Sequence, residues 1–426
     1  MTPLSRRHFL QGLTALSLSA CSVRKPGIVP HGASGKVVVV GGGIAGLTAV
    51  KYLKLLAPSL DISLVEPNGY HLMCPGSNQV ICDLRKFKEL RHNYPVRYAE
   101  QGIKRIKAEA VGIDTRSGKV LLGNQSSLPY DRVIVAPGID FQWKSIEGYS
   151  ESASRLAPHA WKAGLQTMLL RRQLRTLPNG GVVIMTVPAN PYRCPPGPYE
   201  RASLMAHFLS KYKPRSKIII LDAKSQFSKQ PLFEAAWKEL YPGLIEWVSL
   251  EKEGRMERVD VEQLTVHTEF GTHKADVLNI IPPQKAGRIA HWMELVDESG
   301  WCPINPLSFE SRLIPGIHVI GDACAANPMP KSAFAGQSQA INCAAAVVDL
   351  LRDREPGPPS LINHCYSFVT PDEAISITGI YEYASKEKAL ISTLTEQTPL
   401  RADRKAEARY AKSWLDGLSR DIFGQV

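Results

Sequence analysis

The chain has 426 residues, 44% hydrophobic and 21% charged, which suits two or three folded domains rather than a disordered or fibrous protein. No apolar run reaches bilayer-spanning length. None of the eight cysteines falls in a CxxC or CxxCH spacing, which excludes a zinc knuckle, a thioredoxin-type motif and c-type haem attachment, and no metal site is expected. The net charge of +11 fits an anionic substrate or partner by steering, or simply a solvated basic surface, and no nucleic acid partner is expected.

In chain order, Ser5-Arg6-Arg7-His8-Phe9-Leu10 is a twin-arginine pattern. The weakly apolar stretch from Leu10 to Ala20 behind it is too short to span a membrane. Leu18-Ser19-Ala20-Cys21 resembles a lipoprotein processing site, with an ordinary signal peptide as the equal alternative. The expectation is export to the periplasm by the twin-arginine route, with a membrane tether if Cys21 is lipidated. Disulfides persist in that compartment. Residues 1–35 are therefore set aside as signal and linker.

The fold starts at Lys36–Val40, a strand signal that runs into Gly41-Gly-Gly43-Ile-Ala45-Gly46. A helical pattern through Leu56 follows, then a second strand, Asp61–Val65, ending at Glu66. Strand, GxGxxG, helix, strand and acid make a complete dinucleotide unit. Gly41, Gly43, Ala45 and Gly46 let the backbone approach a pyrophosphate at a helix N-terminus, and Glu66 can accept ribose hydroxyls. Further on, Tyr130 to Gly138 includes Ala136-Pro137-Gly138, and Gly316 to Ala323 is a strand ending in Gly321-Asp322. These two stretches resemble the later motifs of glutathione-reductase-type flavoproteins, which implies FAD, with Asp322 on the ribityl chain.

A second unit is visible in the strand Gly180–Val187, a helix from Glu200 to Tyr212 and the strand Lys217–Asp222. Its connecting loop holds Pro188, Pro191, Pro195, Pro196 and Pro198, with a single glycine. Proline has no amide hydrogen to offer a phosphate, so this loop is a poor cradle and NAD(P)H is not the expected reductant. Cys194 sits in this stiff loop, and Cys302 in Gly300-Trp-Cys-Pro303. Both are Cys-Pro and could pair beside a flavin, although cysteine spacing does not fix connectivity. Cys324, Cys343 and Cys365 read as inert core. The expected fold is α/β, with two Rossmann-like domains and a small C-terminal α+β domain. The FAD-binding domain is expected over 36–145 with 286–356, the second domain over 146–285, and the C-terminal domain over 357–426.

Tyr192 to Ser203, the Gly-Trp-Cys-Pro turn and Gly321 to Ser332 together resemble the flavoprotein subunit of flavocytochrome c sulfide dehydrogenase. That resemblance spans nearly all of residues 36–426. It implies oxidation of sulfide to sulfur or polysulfide, FAD reduction through a disulfide matched to Cys194 and Cys302, and electron delivery to a c-type cytochrome. That cytochrome would be a separate subunit or a soluble protein. The resemblance also implies a nearby Glu200, a tryptophan matched to Trp414, and FAD carried covalently on Cys74, with Cys82 as the rival. Pro75 departs from the family pattern at that site. Glu200 is a candidate proton acceptor, and Lys331 a candidate cation at the flavin N1–O2 edge. Two alternatives stay open, a sulfide:quinone oxidoreductase and a non-catalytic flavoprotein that binds a cytochrome. Residues 380–426 show many charges and no clear apolar stripe, which weighs against a membrane-facing quinone enzyme.

Overall fold

The computed structural model describes residues 33–424. The twin arginines Arg6 and Arg7 and the candidate lipid site Cys21 lie outside the described residues.

Strand β1 (Lys36–Val40) turns at the glycine loop into helix α1 (Ile44–Leu56). Strands β2 (Asp61–Val65), β3 (Ile103–Ile106) and β4 (Arg132–Val135) follow, with a short helix α2 (Ser77–Ile81) between β2 and β3. The valines of β1 are buried on both faces, as a central parallel strand requires. It pairs in parallel with β2 and β4, Val37 opposite Ile62 and Arg132.

The chain then leaves for a second parallel sheet. Strand β5 (Val182–Val187) leads into helix α3 (Gly197–Tyr212), strand β6 (Lys217–Asp222), helix α4 (Gln230–Leu240), and strands β7 (Ile245–Val248) and β8 (Val277–Ile280). The strand order is β7-β6-β5-β8. Helix α3 begins three residues before the sequence reading places it. Pro196 caps it and Pro198 lies in its first turn, where a missing amide hydrogen costs nothing. The proline run therefore both stiffens the loop and opens the helix.

Strand β9 (Ile317–Val319) returns to the first sheet and completes the order β9-β4-β1-β2-β3. The outgoing strand Ile139–Phe141 and the incoming strand Gln284–Ala286 pair antiparallel, so the two crossings between the sheets run side by side. Helix α5 (Ala333–Leu350) packs on α1. The C-terminal part is an antiparallel sheet of β10 (Ser360–Thr370), β11 (Glu373–Ala384) and β12 (Ala389–Gln397), closed by helix α6 (Arg404–Phe423).

Helix α6 corrects the reading of its sequence. It does carry an apolar stripe, with Ala408, Ala411, Leu415, Leu418 and Ile422 buried, and that stripe faces the fold. Charged residues on the remaining face hide it from a composition count. Among the described residues no helix is long and apolar enough to cross a membrane.

Candidate flavin and redox site

A cavity with an empty volume of about 1490 Å³, including its open mouth, lies where the two sheets and the C-terminal part meet. The N-termini of two helices face it, through Gly43, Ile44 and Ala45 on α1 and through Ser332, Ala333 and Phe334 on α5. Aligned peptide dipoles make both ends favourable for negative charge.

The glycines divide into two groups. A Cβ on Gly41 would stand 2.4 Å from the Ala136 carbonyl oxygen, and one on Gly46 1.9 Å from that of Gly41. These two are needed for close packing of strand, loop and helix. Gly43 and Gly138 instead line the cavity, and a Cβ on either would meet no atom closer than 3.7 Å. They keep room clear for a ligand at the phosphate end. Ala136, Gly321 and Asp322 complete this wall. The Asp322 carboxyl is raised above its usual range by burial, against the pull of Arg193, whose Nη1 is 3.9 Å away. A half-buried carboxylate with its nearest cation this far off can still accept hydroxyls. These residues fit the phosphates and ribityl chain of FAD.

Cys74 lines the cavity beside the Arg193 guanidinium. Its rival Cys82 does not. It is 2% exposed, and burial pushes its thiol far up.

Cys194 also lines the cavity. Its backbone is left-handed, with φ 59°, and its amide donates to the Lys331 carbonyl at 2.7 Å. Glu200, one turn into α3, accepts from Asn78 Nδ2 at 2.7 Å and from the Phe368 amide at 3.0 Å. Burial raises its carboxyl above the usual 4.5, although both donors act to lower it. Arg201 is buried, with Nε donating to Asn78 Oδ1 at 3.0 Å, Nη1 to Asn279 Oδ1 at 2.9 Å, and Nη2 to the Ala160 carbonyl at 2.5 Å. Trp414 lines the wall and stacks on Phe334, the ring centroids 6.0 Å apart.

The cysteine that shares the cavity with Cys194 is not the one the sequence suggested. Cys302 is fully buried, lies opposite Cys324 in a short parallel pairing, and does not line the cavity. Cys365, read as core, is half-buried on β10 and does line it. After burial, Cys365 is the largest influence on the Cys194 thiol. The resemblance matched Cys302 to Cys194, but the strand that lines the cavity beside Cys194 comes from the C-terminal sheet and carries Cys365. Lys331 is also corrected. Its ammonium donates to the carbonyls of Asp322 and Cys324 at 2.9 Å and sits over the Trp301 ring. The N-terminus of α5 takes the place facing the cavity. Glu66 does not line the cavity either. It accepts from the Gly42 amide at 2.8 Å and from Asn68, bracing the glycine loop.

The second sheet adds a reason to doubt NAD(P)H. Asp222 ends β6 as Glu66 follows β2. Asp222 is fully buried and accepts from Tyr199, Lys224 and Trp247. An acid satisfied three times has little left for a ribose.

Fold and cavity together define a flavoprotein of the disulfide-reductase type. Solved structures agree on the fold. The sulfide:quinone oxidoreductase of Aquifex aeolicus aligns over 92% of both chains with TM-score 0.73 at 18% identity. A putidaredoxin reductase in complex with putidaredoxin aligns over 81% of each chain with TM-score 0.61 at 18% identity. By family, residues 35–170 match the pyridine nucleotide-disulphide oxidoreductases. Residues 167–282 match the central part of the sulfide dehydrogenase (flavocytochrome c) flavoprotein chain, and 357–423 the flavocytochrome c sulphide dehydrogenase flavin-binding part. A 45-residue stretch is 51% identical to that flavoprotein chain from Chlorobaculum thiosulfatiphilum, covering 11% of this chain and 94% of that sequence. The mitochondrial sulfide:quinone oxidoreductase of Mus musculus is 22% identical over 71% of this chain and 68% of its own. The chain belongs to the flavocytochrome c sulfide dehydrogenase flavoprotein family, a family of sulfide-oxidising flavoproteins that use FAD.

Proposed function

We propose that this chain oxidises sulfide at a Cys194–Cys365 redox pair and passes the electrons to a c-type cytochrome on a separate chain. The observation that carries the reading is that Cys194 and Cys365 share one cavity with Glu200, Cys74 and the Gly321-Asp322 wall. FAD, when bound, accepts an electron pair and can release it one electron at a time.

The chain's own groups supply the rest. Hydrosulfide enters a cavity flanked by the half-buried Arg193 and the buried Arg201, which favours an anion. It attacks one sulfur of the disulfide form, leaving a persulfide on one cysteine and a thiolate on the other. Glu200, held by Asn78 and the Phe368 amide, is placed to take a proton. Phe334, Tyr366 and Trp414 form an aromatic wall that limits water near the sulfurs. Cys74 is the residue proposed to hold FAD covalently.

The cytochrome route is supported by the family's name, and the lack of a haem attachment motif in this sequence is why the haem is assigned to a separate chain. Periplasmic export by the twin-arginine pattern, and a lipid tether at Cys21, complete the proposal. The quinone reading has its own support in the sulfide:quinone oxidoreductase relatives. Purified protein given sulfide and either cytochrome c or a soluble quinone analogue separates the two. Cytochrome reduction without quinone reduction is expected, and the reverse would overturn the proposal.

A further inference from the structure

Lys229 is a buried cation that the mechanism above leaves unused. It is 1% exposed and lies just before α4, with φ 63°. Its ammonium donates to the Cys365 carbonyl at 3.0 Å, to Ser367 Oγ at 2.8 Å and to the Ile375 carbonyl at 3.4 Å. All three acceptors are neutral. An ammonium taken from water into such a place carries a large desolvation cost. Burial lowers its pKa to about 8, and the groups opposing that are, in order, Cys365, Glu200, Cys194 and Glu407.

We propose that Lys229 is a positioning residue for thiol exchange, holding the negative charge that collects on the Cys365 sulfur when hydrosulfide attacks Cys194. This rests on the Cys194–Cys365 reading given above. In the step, hydrosulfide sulfur bonds to Cys194 Sγ and the Cys194–Cys365 bond breaks. Its electron pair stays on Cys365, and the single negative charge moves from hydrosulfide to that sulfur. No proton moves and no further oxidant is needed.

The two cysteines are not equivalent. Burial raises both thiols, but the leading influence against it at Cys365 is Lys229, joined by side-chain hydrogen bonds from Asn363 and Ser332. At Cys194 the leading influences after burial are Cys365 and Glu200, both of which disfavour a thiolate, with Lys229 and Arg193 behind them. Glu200 on α3 also faces Cys365, Tyr381 on β11 feels it, and Glu407 faces the ammonium from α6. The Lys229 ammonium held against the Cys365 backbone favours negative charge on that residue, so Cys365 is the leaving thiolate and the persulfide forms on Cys194. Because the ammonium is bound to the backbone carbonyl of Cys365 itself, its charge stays fixed relative to that residue.

The test alkylates the reduced, flavin-loaded full chain with iodoacetamide over about pH 7 to 12, with peptide mass spectrometry reporting each cysteine. Cys365 is expected to react first, with a midpoint about one unit or more below that of Cys194. Lys229→Gln is expected to raise the Cys365 midpoint by about one unit and to slow sulfide-driven flavin reduction about tenfold near neutral pH. Lys229→Arg should restore both. Cys194 reacting first in the unaltered chain overturns the proposal, and that comparison needs no variant to fold. A slower Lys229→Gln protein with an unmoved midpoint also overturns it, since that is a structural effect alone. If the underlying pair is wrong instead, the oxidised chain yields no disulfide-linked peptide joining Cys194 and Cys365.

Discussion

Gly197 sets the position of the Cys194 sulfur, and Gly197→Ala measures how much that position matters. A Cβ there would stand 2.9 Å from Trp161 Cη2 and 3.0 Å from Cys194 Sγ. Ordinary contact begins near ~3.5 Å, so a neighbour must retreat by roughly 0.5 Å. Trp161 is poorly placed to do so. Its ring nitrogen donates to the Arg193 carbonyl at 3.1 Å, its amide donates to His159 Nδ1 at 2.9 Å, and Arg201 sits over its ring. The Cys194 sulfur therefore moves. A misplacement of about 1 Å can cost ~10²-fold in rate, so half of that predicts roughly a tenfold loss. Overpacking costs about 1–3 kcal/mol, which bounds the stability loss. Gly417→Ala on α6 is the control. No atom lies within 4 Å of its Cβ, and it should keep the normal rate while gaining about 0.5–1 kcal/mol. The assay is stopped-flow bleaching of the flavin by sulfide, paired with urea unfolding. Normal bleaching by a Gly197→Ala protein of normal stability would refute the reasoning.

Cys365→Ser should abolish sulfide-driven flavin bleaching, whereas Cys302→Ala should retain it and cost about 1 kcal/mol from a small buried void. Bleaching by the first variant, or its loss in the second, would restore Cys302 as the partner. Glu200→Gln tests the proton acceptor. Burial holds the Glu200 carboxyl above its usual 4.5. Its protonated form is thus favoured in the folded protein, and its contribution to stability is complete below 4.5 and lost as pH rises through the raised value. Glutamine does not titrate, so the stability curve should flatten in that window. The rate of flavin reduction should fall by roughly 10²-fold and lose its rise with pH there. A wild-type pH profile would remove Glu200 from the proton path. Cys74→Ser should release all flavin on acid denaturation, while the unaltered chain and Cys82→Ser keep it on the Cys74 peptide. Flavin freed from the unaltered chain would exclude covalent attachment.

Local pattern carried much of the fold. A run of valines into GxGxxG can only be a buried strand feeding a tight turn and helix, and β1, α1 and β2 follow the sequence expectation almost residue for residue. The Gly-Asp strand was legible for the same reason. Helix α6 was less so, because its buried stripe is interleaved with charges that dominate any average.

Half of the proposed redox pair was legible. The proline loop marked Cys194, since a loop without free amides has some purpose other than holding phosphates. Its partner was not marked, because pairing of cysteines depends on which distant strand packs where. Glu200 accepts a bond from Phe368, 168 positions away, and that same packing carries Cys365 to Cys194. Lys229 was equally hidden, being one lysine among 51 lysines and arginines until β10 and β11 close over it. By itself the sequence determined the nucleotide unit, the flavin motifs and the loss of the second phosphate loop, because backbone conformation at glycine and proline is a local property. Only the tertiary structure decided which cysteine shares a cavity with Cys194 and which cation is bonded to that cysteine's backbone, because those placements arise from sheet packing between segments the chain keeps far apart.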